Sequence, residues 1–356
     1  MRERILSMGY QAVRRTAIHY FNRRARMEGR CPDLEEAVDF GDRWLKRLDR
    51  PFGALMYDFP IPNNLGVWVH DLYFPSPLTL SAFKGDLDVI GFWLRHGLGA
   101  ATVKTVLTEP NSGNPRPRLQ EVWVEGRPTL LNALGLPSEG VAEFVEKFKK
   151  SKLFQYCRPI GFSIDGHHLL EYQKTFQHLE NFFSTMENPY YYEVNISCPN
   201  TPFGQDMTRN PDQLDSLLRF MREHTKAVIS VKLSPDQPDP DITRYGEIVS
   251  SVGRTIINVG NATFRKCHEV GLPEEAMSVG GGGLSGTPIF ARTLEMVSLL
   301  SDIHCPIMAT GGVTTAGQVL ELKGLGVSLI GLATGVVLNP YIIPLINRQL
   351  AKTQTT

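Results

Sequence analysis

From residue 78 onward the chain alternates short apolar runs with polar or glycine-rich turns and longer helical stretches. The runs are Leu78–Phe83, Ala101–Leu107, Ile160–Ile164, Tyr192–Ser197, Val228–Leu233, Thr255–Val259, Pro306–Thr310 and Leu329–Thr334. Most are apolar at nearly every position, the pattern of strands buried on both faces of a parallel sheet. Helical stretches such as Leu214–His224 and Pro288–Ser301 lie between many of them. Eight such units predict a (β/α)8 barrel, with a doubly wound sheet as the alternative. The segment 108–159 is too long for one crossover. It holds a Pro- and Asn-rich stretch, 110–118, and then Glu121–Gly126 as one arm of a hairpin.

The start of the chain has a different period. Leu6, Tyr10, Val13, Ala17 and Phe21 recur at helical spacing, and a second helix is predicted after Pro32-Asp33, with Leu34, Val38, Gly41, Leu45 and Leu48 on one face. Asp33, Glu35 and Glu36 suit the first turn of that helix. The expected organisation is an amphipathic helical extension over 1–50, a connecting segment over 51–77 and a barrel over 78–350.

Charge changes the picture locally. Over all 356 residues, 37 Lys and Arg balance 37 Asp and Glu, which gives no whole-protein electrostatic case for a nucleic-acid partner. Residues 1–30, however, carry eight arginines against two glutamates. Such an extension docks on the barrel through its apolar faces, rests on an anionic membrane surface, or is a cleaved targeting segment. The five cysteines include no CxxC pair and the histidines no HExxH, so neither a disulfide framework nor a metal site is expected. Reduced thiols point to a cytosol-like compartment, and no apolar stretch approaches a membrane span.

Barrels gather their chemistry at the C-terminal ends of strands. Ser81-Ala82-Phe83 closes the first run, and Lys104-Thr105 lies in the second. Asn195 to Thr201 follows the fourth, Lys232 lies in the fifth, and Asn258 and Asn261 close the sixth. Gly280 to Thr287, Thr310-Gly311-Gly312 and Ala333-Thr334-Gly335 come last. Glycine turns before helices expose backbone N–H groups to phosphate, and these three clusters read as one cradle. Gly281, Gly283 and Gly286 also fit GxGxxG, although no strong strand precedes them. A lysine in an apolar run either snorkels to the rim or meets an anion or an electron-rich cofactor edge. Cys198 is either an inert buried thiol or, between Asn195 and Asn200, an acid/base. Several asparagines suit a flat ligand with alternating C=O and N–H groups, such as a pyrimidine.

Together, Asn195–Thr201 (NISCPNT), Val231–Asp236 (VKLSPD), Gly283–Thr287 (GLSGT), Thr310–Val313 (TGGV) and Gly113–Arg118 (GNPRPR) resemble the dihydroorotate dehydrogenases over about residues 76–345. These are FMN-dependent (β/α)8 enzymes of pyrimidine synthesis. The resemblance implies FMN as cofactor and (S)-dihydroorotate as substrate, oxidised to orotate. It implies Cys198 as the base and Lys232 at the pyrimidine edge of the flavin. Lys104 would contact flavin and substrate, and Asn132, Asn195, Asn200 and Asn258 would hold the substrate ring, with Asn261 an alternative to Asn258. Ser81, Ala82, Lys104, Thr105, Asn195, Lys232, Ser285, Gly286, Gly311, Gly312, Ala333 and Thr334 would contact FMN. Phe83 stands where the family usually has Gly, and Ser138 where it commonly has Asn. The Cys base and the Gly135-Leu136-Pro137 loop are similar to class 1 members, whereas the extension is similar to class 2 members that reach membrane quinones. Quinone is the favoured acceptor, with fumarate or a partner flavoprotein as alternatives. The expected location is the cytoplasm, peripheral on the inner membrane face. A related FMN barrel acting on another dihydropyrimidine, or a non-catalytic flavin-binding barrel, stays open at this point. The sequence assigns no oligomeric state.

Overall fold

The computed structural model describes residues 2–197, 207 and 210–353. Two long helices come first, α1 (Arg2–Met27) and α2 (Glu35–Met56). A hairpin of β1 (Val67–Val69) and β2 (Leu72–Phe74) follows. The next strands are β3 (Leu78–Leu80), β4 (Ala100–Val106), β5 (Leu119–Val124), β6 (Arg127–Asn132), β7 (Ile160–Ile164), β8 (Tyr190–Asn195) and β9 (Val228–Leu233). The last are β10 (Thr255–Val259), β11 (Thr263–Lys266), β12 (Gly281–Ser285), β13 (Ile307–Thr310) and β14 (Leu329–Leu332).

The eight apolar runs supply the eight strands of one closed parallel barrel, in the order β10-β13-β14-β3-β4-β7-β8-β9. Strands β3, β7, β9, β10, β13 and β14 are buried at every position, which is why their sequences do not alternate. Helices α3 (Leu87–Arg95), α4 (Val141–Lys149) and α5 (Leu169–Phe183), with further helices along the chain, wrap the outside. Their apolar faces join the strands in the main core, where Phe162 stacks on Phe183 at 3.8 Å. At the N-terminal end of the barrel, Val69, Leu72 and Phe74 of the β1–β2 hairpin cluster with Ala100, Tyr191, Ile256, Met308 and Leu329 and close the floor.

A second sheet, in the order β11-β12-β6-β5, stands apart from the barrel. The expected hairpin arm is the β5–β6 pair, whose turn residues Glu125 and Gly126 both have positive φ, the demand of a tight twisted hairpin. Strand β12 corrects the sequence expectation. Gly281–Ser285 is not a phosphate loop but a strand paired with β11 and β6. Glycine is needed there for close approach: a Cβ at Gly282 would lie 2.5 Å from the Asn132 carbonyl oxygen.

Helices α1 and α2 pair with one another and lie against the C-terminal side of the barrel. Tyr10 donates to the Val337 carbonyl at 2.9 Å, and Leu34 N–H to the Leu119 carbonyl at 2.9 Å. Ion pairs Arg14–Glu121 and Lys84–Asp42 tie them down further, and Arg118 reaches Glu35 at 2.8 Å. No helix among the described residues is long and apolar enough to cross a membrane.

Candidate active site

One cavity of about 780 Å³ sits where the barrel strands end and α1 and α2 cross. The barrel contributes Ser81 and Ala82 after β3, Lys104 and Thr105 of β4, Asn195 of β8 and Lys232 of β9. The second sheet contributes Asn132 from the end of β6 and Ser285 with Gly286 from the end of β12. Gly311, Gly312, Ala333 and Thr334, directly after β13 and β14, complete this part of the wall. The sequence-predicted residues named so far are thus brought to one place.

Local structure explains several of these positions. Along β4, Val103 pairs with Phe162 and Val106 with Ile164, so β4 carries one extra residue there. Such a bulge re-aims side chains, and it falls on Lys104 and Thr105. Asn195 and Lys232 are register partners on β8 and β9 and so reach the cavity side by side. Thr334 donates to Ser285 Oγ at 2.7 Å, which donates on to the Leu130 carbonyl. That chain fastens the last barrel strand to the second sheet.

The wall is polar in a way that the described residues alone do not satisfy. Lys232 is 7% exposed, and among the described residues its ammonium has no hydrogen bond or ion pair. Ser81 Oγ and Thr310 Oγ1 are buried and have no partner among the described residues. Gly331 leaves room for both hydroxyls, since a Cβ there would lie 2.0 Å from Thr310 Oγ1 and 2.8 Å from Ser81 Oγ. An unpartnered buried donor costs about 1–3 kcal/mol, so a cluster of them marks a ligand's place.

Beside Lys232 runs a connected amide network. Asn195 Nδ2 donates to Asp165 Oδ2 at 2.8 Å, and Ser197 Oγ donates to Asn195 Oδ1 at 3.0 Å. Asn261 Nδ2 donates to Ser197 Oγ at 2.8 Å. Burial pushes the Asp165 carboxyl up to about 7, against hydrogen bonds from Tyr172, Gly166 and Asn195.

Some expectations do not meet at the wall. Cys198 and Asn200 lie outside the described residues. Asn258 shares a register level with Lys232 but is fully buried inside the barrel, where its amide donates to Glu193 at 2.7 Å. Asn261, beyond the strand end, lines the cavity instead. Asn258 is thus held in the packed interior through Glu193, whereas Asn261, past the end of β10, reaches the mouth. Ser138 is taken up by loop geometry, its Oγ accepting from the Leu107 and Gly140 N–H groups. Phe83 lines the cavity and packs on Trp93. The sequence reading missed Asp165, although the strand-end rule reaches it directly after Ile160–Ile164.

A barrel of this kind, with hydroxyls and a lysine that find no partner among the described residues around one large cavity at its mouth, is the frame of a cofactor-dependent barrel enzyme. The chain belongs to the dihydroorotate dehydrogenase family, whose sequence profile matches residues 64–353. A dihydroorotate dehydrogenase (quinone) of Thermus thermophilus is 31% identical over 315 residues, 85% of this chain and 86% of that protein. A dihydroorotate dehydrogenase B (NAD(+)) catalytic subunit of Lachnoclostridium phytofermentans is 28% identical over 286 residues, 78% of this chain and 90% of that protein. The crystal structure of the Eimeria tenella enzyme in complex with ferulenol matches with a TM-score of 0.71 at 19% identity, over 88% of this chain and 91% of that one, and supports the fold. As a member of this family, the protein is an FMN-dependent oxidoreductase acting on a CH–CH group, in the oxidation of dihydroorotate to orotate for pyrimidine synthesis. The observed wall fits that cofactor: hydroxyl and backbone donors stand where glycines follow β13 and β14, and a cation stands beside the amides.

Proposed function

We propose that the electrons taken from dihydroorotate leave to a quinone that enters between α1 and α2. The observation that carries this is the continuity of the cavity. The same space that touches Ser81 and Lys104 is lined farther out by Leu6, Tyr10, Val38 and Leu45, the apolar faces of the two helices. These faces therefore flank empty space as well as packing on the barrel. An apolar, flat acceptor fits such a lining better than fumarate or a nucleotide does. The quinone named for the Thermus thermophilus relative agrees with this reading.

Within the barrel, FMN when bound supplies an acceptor for the substrate's hydride and a donor to the second substrate. Lys232, without a partner among the described residues, offsets negative charge on the electron-rich edge of that group, a preorganised electrostatic role. Ser81, Thr310 and the Gly311-Gly312 turn supply donors for it, while Ser285 and Thr334, whose hydroxyl protons are already donated, line its place. Ala82, Lys104, Thr105 and Gly286 shape the remaining contacts. Asn132, Asn195, Asn200 and Asn261 hold the dihydroorotate ring, with Asn261 in the role expected of Asn258. Cys198, as thiolate, takes the proton from C5 of the substrate.

At its outer end the extension suits a membrane surface. Ile5, Met8, Val13, Tyr20 and Trp44 are all exposed, beside the arginines of α1. The enzyme thus works peripherally, at the cytoplasmic face of a membrane, with residues 1–50 as its docking segment. A steady-state panel of a short-chain quinone, fumarate and NAD+ tests the acceptor. Quinone is expected to turn over fastest; faster turnover with fumarate or NAD+ rules the proposal out.

A further inference from the structure

Asp165 has no part in the chemistry above, yet it is built into the site. It follows β7 directly, is 2% exposed, and lies behind Asn195 rather than on the cavity wall. Its Oδ2 accepts from Asn195 Nδ2 at 2.8 Å, and its Oδ1 accepts from Gly166 N–H at 2.7 Å. Tyr172 Oη lies 2.9 Å from Asp165 Oδ1 and 2.9 Å from the Asn195 carbonyl oxygen. Asp165 therefore grips Asn195 at the side-chain amide and, through Tyr172, at the backbone.

A primary amide has two nearly isosteric orientations that exchange its donor and acceptor ends. An acceptor facing one end selects the orientation with NH2 towards it. Here that choice turns Asn195 Oδ1 towards Ser197 Oγ and leaves one N–H and one lone pair for a ligand in the cavity. The opposite orientation would set Asn195 NH2 against Ser197 and reverse the pattern shown to the ligand.

We infer that Asp165 is a positioning residue, which fixes the donor and acceptor ends of the Asn195 amide towards the pyrimidine ring by accepting from its Nδ2. This rests on the role of Asn195 proposed above. The surrounding hydrogen bonds favour a protonated Asp165. One Tyr172 proton cannot serve both the carboxyl and the Asn195 carbonyl. A proton on Asp165 Oδ1, donated to Tyr172 Oη, frees Tyr172 to donate to the carbonyl. Tyr172 and Glu171 face Asp165 from α5 and Asn195 faces it from β8; Glu171, a second carboxylate, and burial both act against ionisation.

The test uses flavin-loaded full-length enzyme and variants D165A, D165S, D165N and N195A. Measured per bound flavin are kcat, KM for dihydroorotate, and orotate affinity read from the flavin spectrum. D165A and D165S are expected to raise KM and the orotate Kd about 10-fold, the worth of one or two hydrogen bonds, with FMN retained. D165N keeps an acceptor for Asn195 and a donor for Tyr172 but sets its NH2 against the Gly166 N–H, so it is expected to recover part of the loss. The double variant D165A/N195A binds orotate no more weakly than N195A. A merely structural role would lower the yield of loaded enzyme but leave KM per flavin unchanged. If D165A does not fold, D165S and D165N carry the same comparison. D165S within twofold of wild type in both constants overturns the inference while the proposed function stands. A wild-type flavin that dihydroorotate does not bleach overturns the proposed function, and the inference falls with it.

Discussion

A lysine that is 7% exposed, with no partner among the described residues, is a liability to a fold and an asset to a site. Lys232→Met keeps the stem and removes the charge. The apo-protein is expected to gain about 1–3 kcal/mol in denaturant unfolding, because an uncompensated buried charge disappears. The same variant, loaded with FMN, should be reduced by dihydroorotate roughly 10²-fold more slowly in stopped flow. Loss of stability together with unchanged reduction would place the charge elsewhere than at the flavin. Asp165 gives a pH dependence of definite sign. Its folded value, about 7, lies above the unfolded carboxyl value near 3.8, so the fold holds the proton longer. Between those values the folded state binds more protons than the unfolded one, and stability falls as pH rises, by an amount on the order of a few kcal/mol in total. D165N should remove that slope, and thermal unfolding of both proteins at pH 4 and pH 7 measures it. At this scale the sequence was legible wherever the side chain stood at or past a strand end, as with Ser81, Asn195 and Thr334. It was not legible for Asn258 against Asn261, since three residues of spacing do not reveal where β10 stops and the mouth begins.

The elements divide in the same way. All eight barrel strands were visible as apolar runs, because burial on both faces removes alternation and leaves a continuous signal. Strand β12 was hidden because its glycines carry neither β-propensity nor hydrophobicity; their pairing is imposed by β11 and β6. For α1 and α2 the amphipathic period was plain, but period alone does not tell a face packed on protein from a face lining a cavity. Gly41 makes that difference testable. It lines the cavity, and a Cβ there would meet no atom within 4 Å. Gly41→Phe is therefore expected to fill the outer cavity without displacing the helix. KM for a short-chain quinone should rise about 10-fold or more, while single-turnover reduction of the flavin by dihydroorotate stays as in wild type. A quinone KM unchanged by this variant would mean that the acceptor does not travel between these helices.

Across the whole molecule, the balanced charge of the chain is a sum over unlike parts, a basic α1 and a mildly acidic remainder. The arginines of residues 1–30 other than Arg14, near exposed apolar side chains, should bind vesicles containing anionic lipid and leave purely zwitterionic ones largely unbound. Because the Debye length shrinks to about 3 Å at 1 M salt, co-sedimentation should fall steeply between 0.05 and 1 M. Equal binding to both vesicle types at low salt would remove electrostatics from the docking step. Whole-chain net charge and composition do not carry this expectation, since both average over the one segment that differs.

The closed floor under the barrel has a consequence of another kind. Val69, Leu72 and Phe74 seal the end opposite the cavity, and none of them lines it. Changes to that plug are therefore expected to alter thermal stability and leave kcat per bound flavin unchanged. The floor is thus the region where natural drift or an engineer can raise or lower durability while the catalytic end keeps its settings.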